Sequence, residues 1–98
     1  MVLEIADFAI RPGHEDAFAA AYREAVVHIE RAPGFRSVRM TRGIESPARF
    51  VLLVEWDSVA DHQAFRDSED FPRWRAPITE HLDGTPHVEH VVDVRSDI

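Results

Sequence analysis

The chain has no cysteine among its 98 residues, which excludes disulfides, thiolate metal sites and a cysteine nucleophile. No apolar run approaches the ~20 residues a membrane span requires. The opening MVLEIADFAIRPG lacks the basic segment and unbroken apolar stretch of a signal peptide. A soluble, cytoplasmic protein without a membrane partner is expected. Positive charge is scarce: eleven basic residues, all arginine, stand against eighteen acidic ones, for a formal net charge of −7. Arg36, Arg39 and Arg42 recur at threes, but on a strand that spacing divides them between two faces. Without a clustered basic surface, no nucleic-acid partner is expected. Gly-rich phosphate loops, G-x-S-x-G, flavin fingerprints and H-E-x-x-H are missing as well. The six histidines include no H-x3-H pair, and His87 and His90 fall on opposite faces of a strand, so no metal is expected.

What is present is a regular alternation of apolar patterns. Residues 2–10 (VLEIADFAI) read as a strand broken by Arg11-Pro12-Gly13. HEDAFAAAYREAVVHIERA, residues 14–32, carries a helical stripe of Phe18, Tyr22, Ala25, Ile29 and Ala32 and stops at Pro33-Gly34. Glu15 and Asp16 suit the positive end of that helix. Residues 35–42 form a second strand, GIESPA a hairpin loop, and residues 50–56 a third strand. Asp57-Ser58 caps a second helix, Ser58 and Asp61 resembling a capping box. Its inward stripe is Val59, His62 and Phe65. A short helix follows with Pro72 as its first residue, holding Trp74, Ile78 and Leu82, and Pro77 is expected to kink or end it. HVEHVVDV, residues 87–94, is the last strand, and RSDI a frayed tail.

The order β-α-β-β-α-β defines an α+β, ferredoxin-like domain with a four-stranded antiparallel sheet and helices on one face. One domain is expected over residues 1–98, with its core at about 2–94. The third strand is apolar on both sides: Phe50, Leu52, Val54 and Trp56 against Val51 and Leu53. Both alternating sets of the first strand are also mostly apolar. A second face of that kind, read as apolar in strands one, three and four, exceeds what a monomer usually exposes. A homodimer pairing sheet face to sheet face covers it; the alternative is that this face is merely mixed.

IRPGHEDAFAAAY, APGF, RFVLLVEWDSVADHQAFRDSEDF and the valine-rich last strand together resemble the antibiotic biosynthesis monooxygenase family, over about Val2 to Val94. The resemblance implies a dimeric α+β barrel with a pocket between helices and sheet. It also implies a choice among cofactor-independent oxidation of anthrones or quinols, haem degradation, and roles not yet assigned. The haem-degrading branch carries Asn, Trp and His where this chain has Ala6, Phe65 and Arg75, so haem is not expected, and Arg75 cannot be an axial ligand. The anthrone and quinol branches often place Asn, Trp or His where this chain has Asp61, Phe65 and Asp70.

The leading expectation is a cofactor-free monooxygenase acting on a small apolar or aromatic molecule such as a phenol, quinol or anthrone. That chemistry needs a base, an oxyanion donor and an apolar slot. His62 is the candidate base because imidazole titrates near neutrality. Tyr22 or Arg75 is the candidate donor. Phe65, Trp74, Phe71, Ala6 and Phe8 are the candidate walls. The plainer alternatives are a helix histidine bonded to backbone, aromatics that only pack the core, and a solvated Arg75. Rival functions are a non-catalytic metabolite-binding domain, a cyclase or isomerase using the same pocket, and a dimerisation module whose helix–sheet layer has no cavity.

Overall fold

A computed structural model describes residues 1–95; most of the expected RSDI tail therefore lies outside the described residues. The elements are β1 (Val2–Ala9), α1 (Glu15–Ala25), α2 (Val27–Glu30), β2 (Phe35–Arg42), β3 (Arg49–Trp56), α3 (Val59–Arg66), α4 (Asp70–Thr79) and β4 (His87–Val91). The four strands form one antiparallel sheet in the order β2-β3-β1-β4. β3 lies between β1 and β2, so the chain has the split-βαβ, ferredoxin-like arrangement that its element order implied. Among the described residues no helix is long and apolar enough to cross a membrane.

Strand alternation separates two unlike faces. Ala6, Phe8, Phe50, Leu52, Val54 and Trp56 are buried on the side that meets Phe18, Ile29, Phe65, Trp74 and Ile78 of the helices. Glu4 lies on that same buried side, at only 6 % exposure. The register sets Glu4 opposite His90 and Ala6 opposite Val88, which turns both β4 residues toward the helix layer. The other face carries Leu3, Ile5, Val51 and Leu53, all half-buried, with Asp7, Glu55, Arg39 and Glu89 interleaved. It is thus apolar along its centre and polar at its margins, and an Arg49–Asp7 ion pair of 2.7 Å crosses it.

Several expected boundaries shift for physical reasons. The first helix divides at Val26 into α1 and α2, although its stripe of Phe18, Ala25 and Ile29 is buried as expected. Ser58 caps α3, but its hydroxyl both accepts from the Asp61 backbone N–H (3.2 Å) and donates to the Asp61 carboxylate (2.9 Å). Val59 does not join the buried stripe and is 48 % exposed; it follows the end of β3 by only three residues, so the first turn of α3 has little sheet beneath it. α4 starts at Asp70, which puts Pro72 within the first turn, where a missing N–H costs nothing. Pro77 does not end the helix: α4 runs to Thr79, whose hydroxyl donates to the Arg75 carbonyl, and Ile78 is fully buried one residue past the proline. β4 stops at Val91 instead of Val94. Val91 already pairs with Leu3, so the next residues would have only Val2 and Met1 opposite them.

Gly34 joins the helix layer to β2 at φ +84°, and an added Cβ there would lie 2.4 Å from the Asp61 side chain. Glycine at this turn lets α3 approach the end of β2 closely, which brings His62 over the sheet.

Candidate functional site

A cavity of about 250 Å3 lies between the sheet and α3 and α4. Its floor is Glu4, Ala6 and Phe8 of β1 with Leu52 of β3, and its walls are Phe65, Phe71 and Trp74. Seven of the eight residues singled out from sequence line it: His62, Arg75, Phe65, Trp74, Phe71, Ala6 and Phe8. Tyr22 does not. It stands behind the wall, its ring edge-on to Trp74 at 6.0 Å, and burial together with the nearby Glu30 carboxylate raises its pKa. Asp61 is held at the α3 cap, and Asp70 is bound on the surface by Arg31 at 2.8 Å and Arg73 at 3.2 Å.

The polar centre of the cavity is a group of four side chains. Glu4 Oε1 accepts a hydrogen bond from Trp56 Nε1–H at 2.9 Å. His62 lies flat on the Trp56 ring, centroids 5.2 Å apart and planes 13° from parallel. Its Nε2 is 3.3 Å from the same Glu4 oxygen, and its Nδ1 is 2.7 Å from His90 Nε2. No fully buried side-chain polar atom among the described residues lacks a hydrogen-bond partner. Glu4 Oε2 and His62 Nε2 carry no such bond, so neither atom is fully buried, and both residues line the cavity. His62 is buried and bonded to another side chain, rather than bonded through its ring to backbone.

This geometry fixes a tautomer. A lone pair on Nε2 would face the Glu4 carboxylate, whereas an N–H there is attracted to it; Nδ1 then accepts from His90 Nε2–H. Burial, followed by electrostatic repulsion from His90 and Arg66, pushes the His62 pKa down to about 4. The imidazole is therefore neutral at physiological pH and a weak base, contrary to its expected titration near neutrality. Burial raises the Glu4 pKa, opposed by the Trp56 hydrogen bond and the Arg66 charge. A carboxyl raised in this way is the stronger proton acceptor of the pair.

Sequence reasoning missed Glu4, Trp56, His90 and Arg66. Glu4 was the one polar residue in the inward set of β1, and a carboxylate among Val2, Ala6, Phe8 and Ile10 is the signal that would have found it. Among the described residues no three His, Cys, Asp or Glu side chains are grouped so as to hold a metal; His62 and Glu4 meet through Nε2, while His90 meets the opposite ring nitrogen.

Residues 1–77 match the family model for antibiotic biosynthesis monooxygenase, and the chain belongs to that family. The uncharacterized protein YczJ of Bacillus subtilis (strain 168) is 34% identical over 95 residues, covering 96% of this chain and all of that one. A Bordetella bronchiseptica protein whose crystal structure bears the family's name is 37% identical, with a TM-score of 0.91 over 95% of this chain and 96% of that chain. A variant of SnoaB, a cofactor-independent oxygenase from Streptomyces nogalater, has a TM-score of 0.83 at 14% identity, covering 97% of this chain and 94% of that one. At that identity the likeness shows the shared fold.

A depressed histidine pKa makes the unfolded chain bind more protons than the folded one between about pH 4 and the ordinary value of 6.5. His62 therefore costs stability as pH falls through this window. Glu4, with its pKa raised, acts in the opposite sense above 4.5. Comparing native protein with His62→Gln by urea unfolding at pH 7 and pH 4 isolates the histidine. The native protein should lose up to about 3 kcal/mol more than the variant. Equal losses would place His62 in an environment that does not disfavour its charge.

Proposed function

We propose that the protein is a cofactor-free monooxygenase of small one- or two-ring phenols or hydroquinones, with Glu4 as base and His62 as oxyanion donor. The observation that carries this reading is the pair of unbonded polar atoms on cavity-lining residues, Glu4 Oε2 and His62 Nε2, on an apolar floor with aromatic walls. Membership of the family supports it. The cavity, at about 250 Å3, is below the ~300–1,000 Å3 of sites for drug-sized ligands, which favours these substrates over a three-ring anthrone.

Glu4 takes the phenolic proton, and the His62 Nε2–H holds the phenolate oxygen, with Arg75 adding positive charge. The electron-rich ring reduces O2, and the reduced oxygen bonds to a ring carbon as a peroxide. Cleavage of the O–O bond, with loss of the hydrogen on that ring carbon, leaves one oxygen atom on the ring as a carbonyl, and the other departs as water carrying that proton and the one returned by Glu4. A hydroquinone becomes a hydroxyquinone, supplying all four electrons itself, so no external reductant enters. The walls of Phe65, Phe71 and Trp74 keep water from the peroxide. His62 thus moves from base to donor, and Tyr22 keeps a packing role.

The cavity itself argues against a pure dimerisation module. A binding domain remains the second reading, supported by the same apolar lining. Oxygen uptake by metal-stripped protein with 1,4-dihydroxynaphthalene separates the two. Uptake above the spontaneous rate is expected, falling about 100-fold or more in Glu4→Gln. Full activity in that variant would remove Glu4 from the mechanism, and saturable binding without uptake would favour the binding domain.

We also propose a homodimer through the open sheet face. Its support is the half-buried apolar centre of Leu3, Ile5, Val51 and Leu53, continued by Val91 at 40 % exposure. Sedimentation equilibrium should give twice the 11.2 kDa chain mass, and Leu53→Glu should halve it. A native protein that sediments as a monomer at micromolar concentration would contradict the proposal.

A further inference from the structure

The cavity holds two cations without a counter-ion. Arg31, Arg36, Arg42, Arg49 and Arg73 each have a carboxylate within 4.0 Å. Arg66 and Arg75 have none among the described residues; Arg11, Arg23 and Arg39 have none either, but only Arg66 and Arg75 line the cavity, in a chain that carries seven more acidic than basic side chains. Their guanidinium groups also make none of the side-chain hydrogen bonds found for Arg11, Arg31, Arg36, Arg42, Arg49 and Arg73.

They are also close enough to repel. Burial, and then the charge on Arg66, lowers the Arg75 pKa. The Arg66 charge is felt at Glu4 and His62 as well. Arg66 lies one turn beyond His62 on α3, and Arg75 follows Trp74 on α4, so the two helices bring both cations to the solvent side of the aromatic walls. A half-buried guanidinium beside a like charge is unfavourable on its own, and an anion between the two relieves it. Guanidinium groups match the planar, two-oxygen geometry of a carboxylate.

We infer that Arg66 and Arg75 form a carboxylate subsite, and that the preferred ligand is an aromatic hydroxy acid with its carboxylate beside the phenolic oxygen. This inference rests on the reading of the cavity as a phenol site and narrows it to an acidic substrate class. The ring fills the space among Phe65, Phe71 and Trp74. The phenolic oxygen meets His62 and Glu4, and the ortho carboxylate reaches the two arginines. In a molecule of net negative charge this local positive pair also selects against uncharged phenols of the same size.

Calorimetric titration of the full chain with 1-hydroxy-2-naphthoate and with 1-naphthol tests the subsite without relying on turnover. The acid should bind at least about tenfold more tightly than the naphthol. Arg66→Gln and Arg75→Gln should each reduce that preference and the double variant should abolish it, while Arg66→Gln alone should leave naphthol affinity within about twofold. Arg66 is exposed, so its variant is expected to fold, and an unchanged thermal midpoint verifies it. Equal affinity for the two ligands, a preference that survives the double variant, or no binding of the acid at millimolar concentration would each overturn the subsite. Oxygen uptake is scored separately. Arginine-dependent binding of the acid with no uptake from the matching 1,4-dihydroxy acid would overturn the oxygenase reading and leave the subsite. Uptake at equal efficiency from charged and uncharged hydroquinones would overturn the subsite and leave the oxygenase.

Discussion

The arrangement depends on one buried carboxylate. Glu4 sits at 6 % exposure in the middle of an apolar sheet face, where an isolated charge would be strongly disfavoured. The Trp56 indole N–H at 2.9 Å and the His62 Nε2 at 3.3 Å make the position tenable. Those contacts in turn fix the histidine. A ring stacked on Trp56, drawn to Glu4 on one side and bonded to His90 on the other, has one orientation and one favoured tautomer. The carboxylate thus organises three other side chains from three elements, and the space they leave beside the aromatic wall is the cavity.

That space exists because the layers diverge locally. α1 packs Phe18 onto Phe8 and Phe50 with ring centroids 5.8 and 4.9 Å apart, which closes one end of the helix–sheet interface. At the other end α3 and α4 meet each other through Phe65 and Phe71, 5.7 Å apart and edge to face. Phe65 packs on Trp56 of β3 with ring centroids 5.7 Å apart, but beside it β1 presents only the small Ala6 to the helices. Large side chains above small ones leave a gap, and a domain of this size can accommodate it because Phe18, Ile29, Val54, Trp56 and Ile78 still pack at 0–1 % exposure.

Much of this was legible in the sequence. The alternation in residues 50–56 and the stripe from Phe18 to Ile29 were enough for the fold, because each pattern has one dominant period and is bounded by Pro-Gly or Ser signals. The walls were legible for the same reason: Phe65, Phe71 and Trp74 lie on faces that helical spacing turns inward. The polar centre was not. Glu4, Trp56, His62 and His90 come from β1, β3, α3 and β4, and their meeting depends on a register between β1 and β4 that no local pattern encodes. His62 was found as an inward histidine, but its neutrality follows from burial and from neighbours distant in sequence. Tyr22 shared a stripe with real core residues, and periodicity alone cannot distinguish a side chain that lines a cavity from one that backs its wall. The length of β4 was misjudged because a strand's extent is set by its partner as much as by its own residues.

The proposed chemistry requires His62 to be a neutral donor, oriented by His90 toward Glu4 and the cavity. The most direct measurement is a long-range proton–nitrogen correlation spectrum of the histidine rings, recorded from pH 7.5 to 5. His62 is expected to carry its proton on Nε2, to keep an unprotonated Nδ1 and to show no titration above about pH 5, consistent with a pKa pushed down to about 4. A proton on Nδ1, or titration near 6.5, would contradict the account and return His62 to the role of base.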